Sequence, residues 1–192
     1  MKRFIHFSRR RQSGISLVIV MIFLVILSIL GITAMQGSTL SSRIARNEAD
    51  RNLAFQAAEA AVRDAELDIK GLRFDNAVCV PASAGCRTER INRGDNFLAD
   101  CTNGLCDSRP PAYTSTIAVW EITSKWASGG GSVAYGAYTA APSLPTVSQQ
   151  PRYLLEYFQM GDAAVYRITA IGYGANSSTQ IMLQTAVKAI PV

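Results

Sequence analysis

At 192 residues the chain has room for one domain of ordinary size, about 100 to 200 residues, plus one special segment. Its formal charge of +5 would suit a nucleic-acid partner, but Lys2, Arg3, Arg9, Arg10 and Arg11 all precede Gly14; taking these five from 19 basic residues leaves 14 against 14 acidic ones, so the remainder is roughly neutral and the basic-patch argument for nucleic acid falls away. His6, the one histidine, lies in the same leader, so a Ser-His-Asp or Cys-His centre and most catalytic zinc sites are excluded after Gly14.

The leader runs straight into "GISLVIVMIFLVILSILGITAM", with no charge from Ile15 to Ser42. About 20 apolar residues at a rise of about 1.5 Å cross a hydrocarbon core of about 30 Å, so residues 15–40 are expected to be a transmembrane helix. Basic flanking charge stays on the cytoplasmic side, which places residues 1–14 inside the cell and all that follows Leu40 outside. A secretory signal has an apolar region of only about 7 to 15 residues before a small-residue cleavage site; Ala34 is the candidate site on that alternative.

Residues 41–71 are expected to continue as an amphipathic helix. "RNLAFQAAEAAVRDAELDIK" is rich in helix formers, Glu59 with Arg63 and Glu66 with Lys70 are i,i+4 pairs, and Gly71 is placed to stop the run. Leu53, Ala57, Ala60 or Ala61 and Ala65, beside Phe55, Val62 and Ile69, form a stripe that needs a surface to pack on.

Residues 72–112 read as an irregular region held by Cys79, Cys86, Cys101 and Cys106. Outside the cytoplasm disulfides form and persist, and four cysteines allow three pairings; the local one, Cys79 with Cys86 and Cys101 with Cys106, ranks first. A four-thiolate zinc site is the rival, without the short C-x-x-C pairs it ordinarily uses, and no metal or cofactor is expected. Arg93-Gly94-Asp95 reads as a polar turn, and Asp95, Asn96, Asp100 and Asp107 as solvated loop groups whose spacing is not that of a calcium loop.

In residues 113–192 the period changes to two, and an antiparallel sheet is expected. Strands are expected over 113–122, 152–160, 163–173 and 179–190, the last three as a meander through turns at 161–162 and 174–178, with a flexible Gly, Ser and Pro-rich loop over 127–151. Helix stripe and sheet face can bury one another, which makes the fold α+β. A serine-lysine pair with Lys70, Lys125 or Lys188 has no supporting context, so no enzymatic activity is expected.

Basic residues, then Gly14, then a hydrophobic helix from Ile15 resemble the class III leader of type IV pilins. "RIARNEADRNLAFQAAEAAVRDAE" (43–66) and "YRITAIGYGANSSTQIMLQTAVK" (166–188) resemble the PilX group of minor pilins. The resemblance implies a type IV pilin fold, cleavage by a prepilin peptidase after Gly14 behind Arg9, Arg10 and Arg11, and methylation of Ile15 as the new amino terminus. It further implies residence in the inner membrane and then in the pilus. Its partners would be other minor pilins, the major pilin, inner-membrane lipid and a large tip adhesin, with no direct nucleic acid. Major pilins carry a glutamate at the fifth mature position; Ile19 stands there here, which implies a place at or near the pilus tip, where the subunit helps prime assembly. The alternatives are a tip pseudopilin of type II secretion, which usually carries a larger inserted domain, and a bitopic periplasmic binding protein, which would keep residues 1–14.

Overall fold

A computed structural model describes residues 14–88, 90, 91, 94–109, 115–160 and 163–188, with side chains left out of account at 34–39, 160, 163 and 164. The chain divides into two units, Met1–Asn47 and Glu48–Val192.

In the first unit the described residues after Gly14 belong to helix α1, which runs over Ile15–Lys70 and continues through Gly31 and Gly37. Its stretch Ile15–Thr33 is long and apolar enough to cross a membrane, and none of it is buried within the chain. The hydroxyls of this stretch bond inward where the backbone offers acceptors: Ser28 donates to the Leu24 carbonyl at 2.7 Å and Thr33 to that of Leu30 at 2.9 Å. Such back-bonding satisfies a polar group on an otherwise apolar surface.

The second unit is a helix on a sheet. The last turns of α1 bury Ala54, Ala57, Ala58, Ala61 and Ala65, spaced three and four apart and so sharing one face. Leu53 is half-buried, and Phe55 falls outside the stripe with 41 % of its surface exposed. The helix stops where Gly71 takes φ +64, with Leu72 N–H donating to Leu67 C=O at 2.9 Å and Gly71 N–H to Asp68 C=O at 3.0 Å. This is a Schellman ending, and glycine enters the left-handed region without steric cost. Neither Glu59–Arg63 nor Glu66–Lys70 is among the ion pairs of the described residues.

The sheet contains β1 (Leu105–Asp107), β3 (Arg152–Met160), β4 (Ala163–Tyr173) and β5 (Gln180–Lys188) in that spatial order, with β2 (Val133–Ala134) also paired to β3. The meander β3-β4-β5 is antiparallel in continuous register, from Arg152↔Ile171 to Met160↔Ala163 and from Tyr173↔Gln180 to Val165↔Lys188. The sheet is mixed rather than wholly antiparallel, because β1 lies parallel to β3 with Leu105 opposite Leu155. Tyr153, Leu155, Tyr157, Tyr166, Ile168 and Ala170 face the helix with Ala61, Ala65, Phe97 and Leu105.

One expectation needs correction. The strand expected over 113–122 is not formed by the described part of that segment: Val119–Glu121 is a 3-10 turn, leading into the short helix α2 (Thr123–Trp126). The sheet leaves it no place beside its central strand: β3 already pairs with β4 on one side and with β1 and β2 on the other. Val119 and Trp126 instead cover the second face with Leu154, Ile171, Tyr173 and the Cys101–Cys106 pair. The loop over 127–151 also contains regular structure. It contributes β2, buries Val133 and Thr139, and bonds Tyr135 N–H to Pro151 C=O at 2.9 Å and Ser148 N–H to Gly174 C=O at 2.7 Å.

Candidate functional site

At the chain's apolar end, Gly14 takes φ +65 and α1 begins at the next residue, Ile15, with no acid in its first turn. Ile19 is exposed at 59 % and has apolar neighbours in sequence on both sides. The leader, with His6, Arg9, Arg10 and Arg11, lies outside the described residues.

Inside the second unit, two acids fall on the alanine stripe. Asp68 accepts three bonds from Arg87, Nε to Oδ1 and Nη2 to Oδ2 at 2.7 Å each and Nε to Oδ2 at 3.0 Å, and a fourth from the Tyr153 hydroxyl at 2.7 Å. Arg87 also donates to the Asn103 carbonyl at 3.0 Å and lies 3.9 Å above the Tyr138 ring. Burial alone would disfavour the charge on Arg87, but the bonds to Asp68, the charge of that carboxylate and the nearby tyrosines together outweigh it and its pKa is raised. Burial, with the charge of Asp68 beside it, pushes the Tyr153 hydroxyl well above its ordinary value. The Arg87–Asp68 pair thus joins the end of α1, strand β3 through Tyr153, and the two cysteine loops.

Asp64, one turn earlier, accepts from Gly136 N–H at 2.8 Å and from the Thr139 hydroxyl. Burial raises its pKa although both bonds pull it down. At the other end of the stripe Asp50 accepts from the backbone N–H groups of Ala175 at 2.6 Å and Asn176 at 3.2 Å, fastening the β4–β5 turn to the helix. On the second face of the sheet, Glu156 is fully buried against Arg167, its cross-strand partner, with Nε to Oε2 at 2.8 Å, and takes a bond from Ser108 at 2.9 Å. These are arrangements that hold parts together. No nucleophile with an adjacent base emerges from them.

The cysteines are joined as Cys79–Cys86 and Cys101–Cys106. Arg93 lies outside the described residues, while Gly94 is buried against Tyr157 and Asp95 is exposed. The loop acids do not converge: Asp100 accepts from Thr102, and Asp107 pairs with Arg109 at 2.8 Å, which lowers the Asp107 pKa. Among the described residues no three metal-ligating side chains come together.

Asp64, Asp68 and Arg87 escaped the sequence reading. The signal available for the first two was their spacing, because an acid at a core position of an alanine stripe requires a buried partner. Nothing in the sequence points to Arg87 as that partner.

A profile described as PilX N-terminal matches residues 13–63, and one described as the C-terminal part of the type IV pilus assembly protein PilX matches residues 102–189. The chain belongs to the PilX family. No match is found among curated proteins or among solved structures. The PilX N-terminal match opens beside Gly14 and closes just before Asp64; the C-terminal match opens just after Cys101 and holds all five strands. Between them, residues 64–101 contain Asp64, Asp68, the Cys79–Cys86 bond and Arg87. The PilX family is one of structural proteins of type IV pilus assembly, and with the apolar helix at Ile15–Thr33 it points to a membrane-anchored pilin.

Proposed function

We propose that this PilX-family chain is a minor pilin that performs no chemistry of its own. It enters the inner membrane with its amino terminus in the cytoplasm and its second unit in the periplasm. A prepilin peptidase cuts after Gly14, Ile15 becomes the methylated amino terminus, and the subunit moves into the pilus. Other minor pilins, the major pilin and a tip adhesin are its neighbours there, and its place is at or near the tip.

The observation that carries this reading is the charge-free opening of α1, Ile15–Thr33, directly after Gly14 in a chain of this family. The tip assignment rests on Ile19. A buried carboxylate facing a neighbour's amino terminus would repay its desolvation only by that pairing, and without it a subunit lacks one attraction that a repeating shaft can use.

Intact mass of the full chain, expressed with and without a prepilin peptidase, tests the processing. Loss of residues 1–14 with gain of one methyl group, seen only with the peptidase, is expected; an uncut chain, or a cut near Ala34, overturns the reading. Immunogold labelling tests location separately: label at pilus ends is expected, and label along the whole shaft removes the tip assignment.

A further inference from the structure

Strand β5 ends the sheet order, and among the described residues it pairs only with β4. One row of its backbone donors and acceptors therefore faces away from the sheet over nine residues. Natural edges are usually blunted by proline, bulges or inward charges. β5 contains no proline or glycine, its register with β4 is unbroken, and its one charge is Lys188 at the end.

A groove of about 790 Å³ lies beside this edge, between α1 and β5. Leu183 and Thr185 line it from the strand, Phe55 and Val62 from the helix, and Phe74 and Tyr135 from the loops. Phe55 and Phe74 keep 41 % and 53 % of their surface exposed, whereas Phe97 in the core keeps 3 %. Along the helix wall Glu59 and Glu66 are balanced in number by Arg63 and Lys70, and the third acid, Asp64, is buried and taken up by Gly136 N–H and the Thr139 hydroxyl, so the wall favours neither an acidic nor a basic occupant.

We propose that β5 and this groove receive an extended segment of a different pilus subunit, which adds to the sheet as a strand beside β5. The occupant follows from two independent features. An unpaired backbone row is satisfied by another extended backbone; a helix has used its own donors and acceptors, and a lipid chain has none. An extended segment also turns every second side chain to one face, so uncharged apolar residues at alternate positions seat on Phe55 and Phe74 while the backbone fixes register. That the segment comes from a pilus subunit rests on the assembly function proposed above.

The test uses the full chain in cells that assemble the pilus, with Phe55 or Phe74 replaced by photoreactive p-benzoylphenylalanine. After irradiation, the pilus fraction is digested and the crosslinked peptides are mapped. Both positions are expected to reach the same short segment of one other pilus subunit, at residues an even number apart. Thr185→Lys, which puts a charge on the edge, is expected to cut the yield about tenfold while both disulfides still form. Crosslinks only to lipid, to a second copy of this chain or to a helical segment overturn the proposal, as does an absence of crosslinks from chain present in the pilus fraction. A chain that never enters that fraction overturns the assembly reading and takes the docking with it, so the two failures are distinguishable.

Discussion

Residues 15–33 and residues 48–70 belong to one helix and have met opposite demands. In the first stretch every leucine, isoleucine, valine, phenylalanine and methionine is exposed, Ile26 least so at 48 %; in the second the fully hidden apolar residues are alanines. Large apolar side chains left uncovered by their own chain ask for lipid or other helices. Small ones permit close approach to the chain's own sheet, and Gly172 measures how close. A Cβ on Gly172 would lie 2.2 Å from the Ala54 carbonyl oxygen and 2.3 Å from the Ala58 nitrogen, both backbone atoms that cannot step aside. Apolar character is shared by the two stretches; side-chain size tells them apart.

The most severe way to break the comparison is to remove the charge that α1 hides. Asp68→Ala leaves Arg87 buried without its counter-ion and is expected to lower stability by about 3–5 kcal/mol, read from urea unfolding of the full chain in micelles by the fluorescence of Trp120 and Trp126. A loss under about 1 kcal/mol would mean that water replaces the carboxylate.

Gly172→Val attacks the close approach itself. Overpacking against backbone should cost about 3 kcal/mol in the same assay; a neutral result would mean that the helix stands farther from β4 than described.

Asp64→Asn sharpens the electrostatic side of the contrast through pH. The native carboxyl has a raised pKa, so it holds its proton more tightly than the unfolded chain does. Its stabilising contribution is complete below the ordinary value of 3.8 and is lost as pH rises through the raised native value. Wild-type stability minus that of Asp64→Asn should therefore fall across this window, and a difference that stays flat or rises with pH contradicts the assignment.

The smallest effect belongs to the exposed stretch. Leu24→Ala should leave unfolding of the second unit unchanged within about 0.5 kcal/mol. A larger shift would show that residues 15–33 pack on their own chain.

Much of this was legible in the sequence where periodicity was long. The helix limits, Ile15 and Lys70, follow from an uninterrupted run closed by Gly71, and β3, β4 and β5 follow from alternation over nine to eleven residues. The segment 113–122 alternates too, yet its fate depended on which edges of β3 were free, a tertiary matter. β1 was unreadable for the opposite reason: three residues between Gly104 and Ser108 carry no period, and a parallel partner about fifty residues away leaves no local trace. Of the candidate sites, Gly14 and Ile15 could be named from their position. The β5 groove could not, because Phe55 and Phe74 are separated in sequence by the end of α1 and a loop.

Arg87 is the residue after Cys86, and its guanidinium is the counter-ion of the α1 carboxylate at Asp68. The Cys79–Cys86 ring therefore ends one residue short of a core cation, and what constrains the ring also constrains where that charge can sit. Without that bond the arginine would sit on a less constrained loop, and the pairing with Asp68 that holds the end of α1 is expected to loosen. Limited proteolysis should accordingly cut the Cys79→Ser chain well before the oxidised one, and equal survival would show that the ring does not fix that pairing.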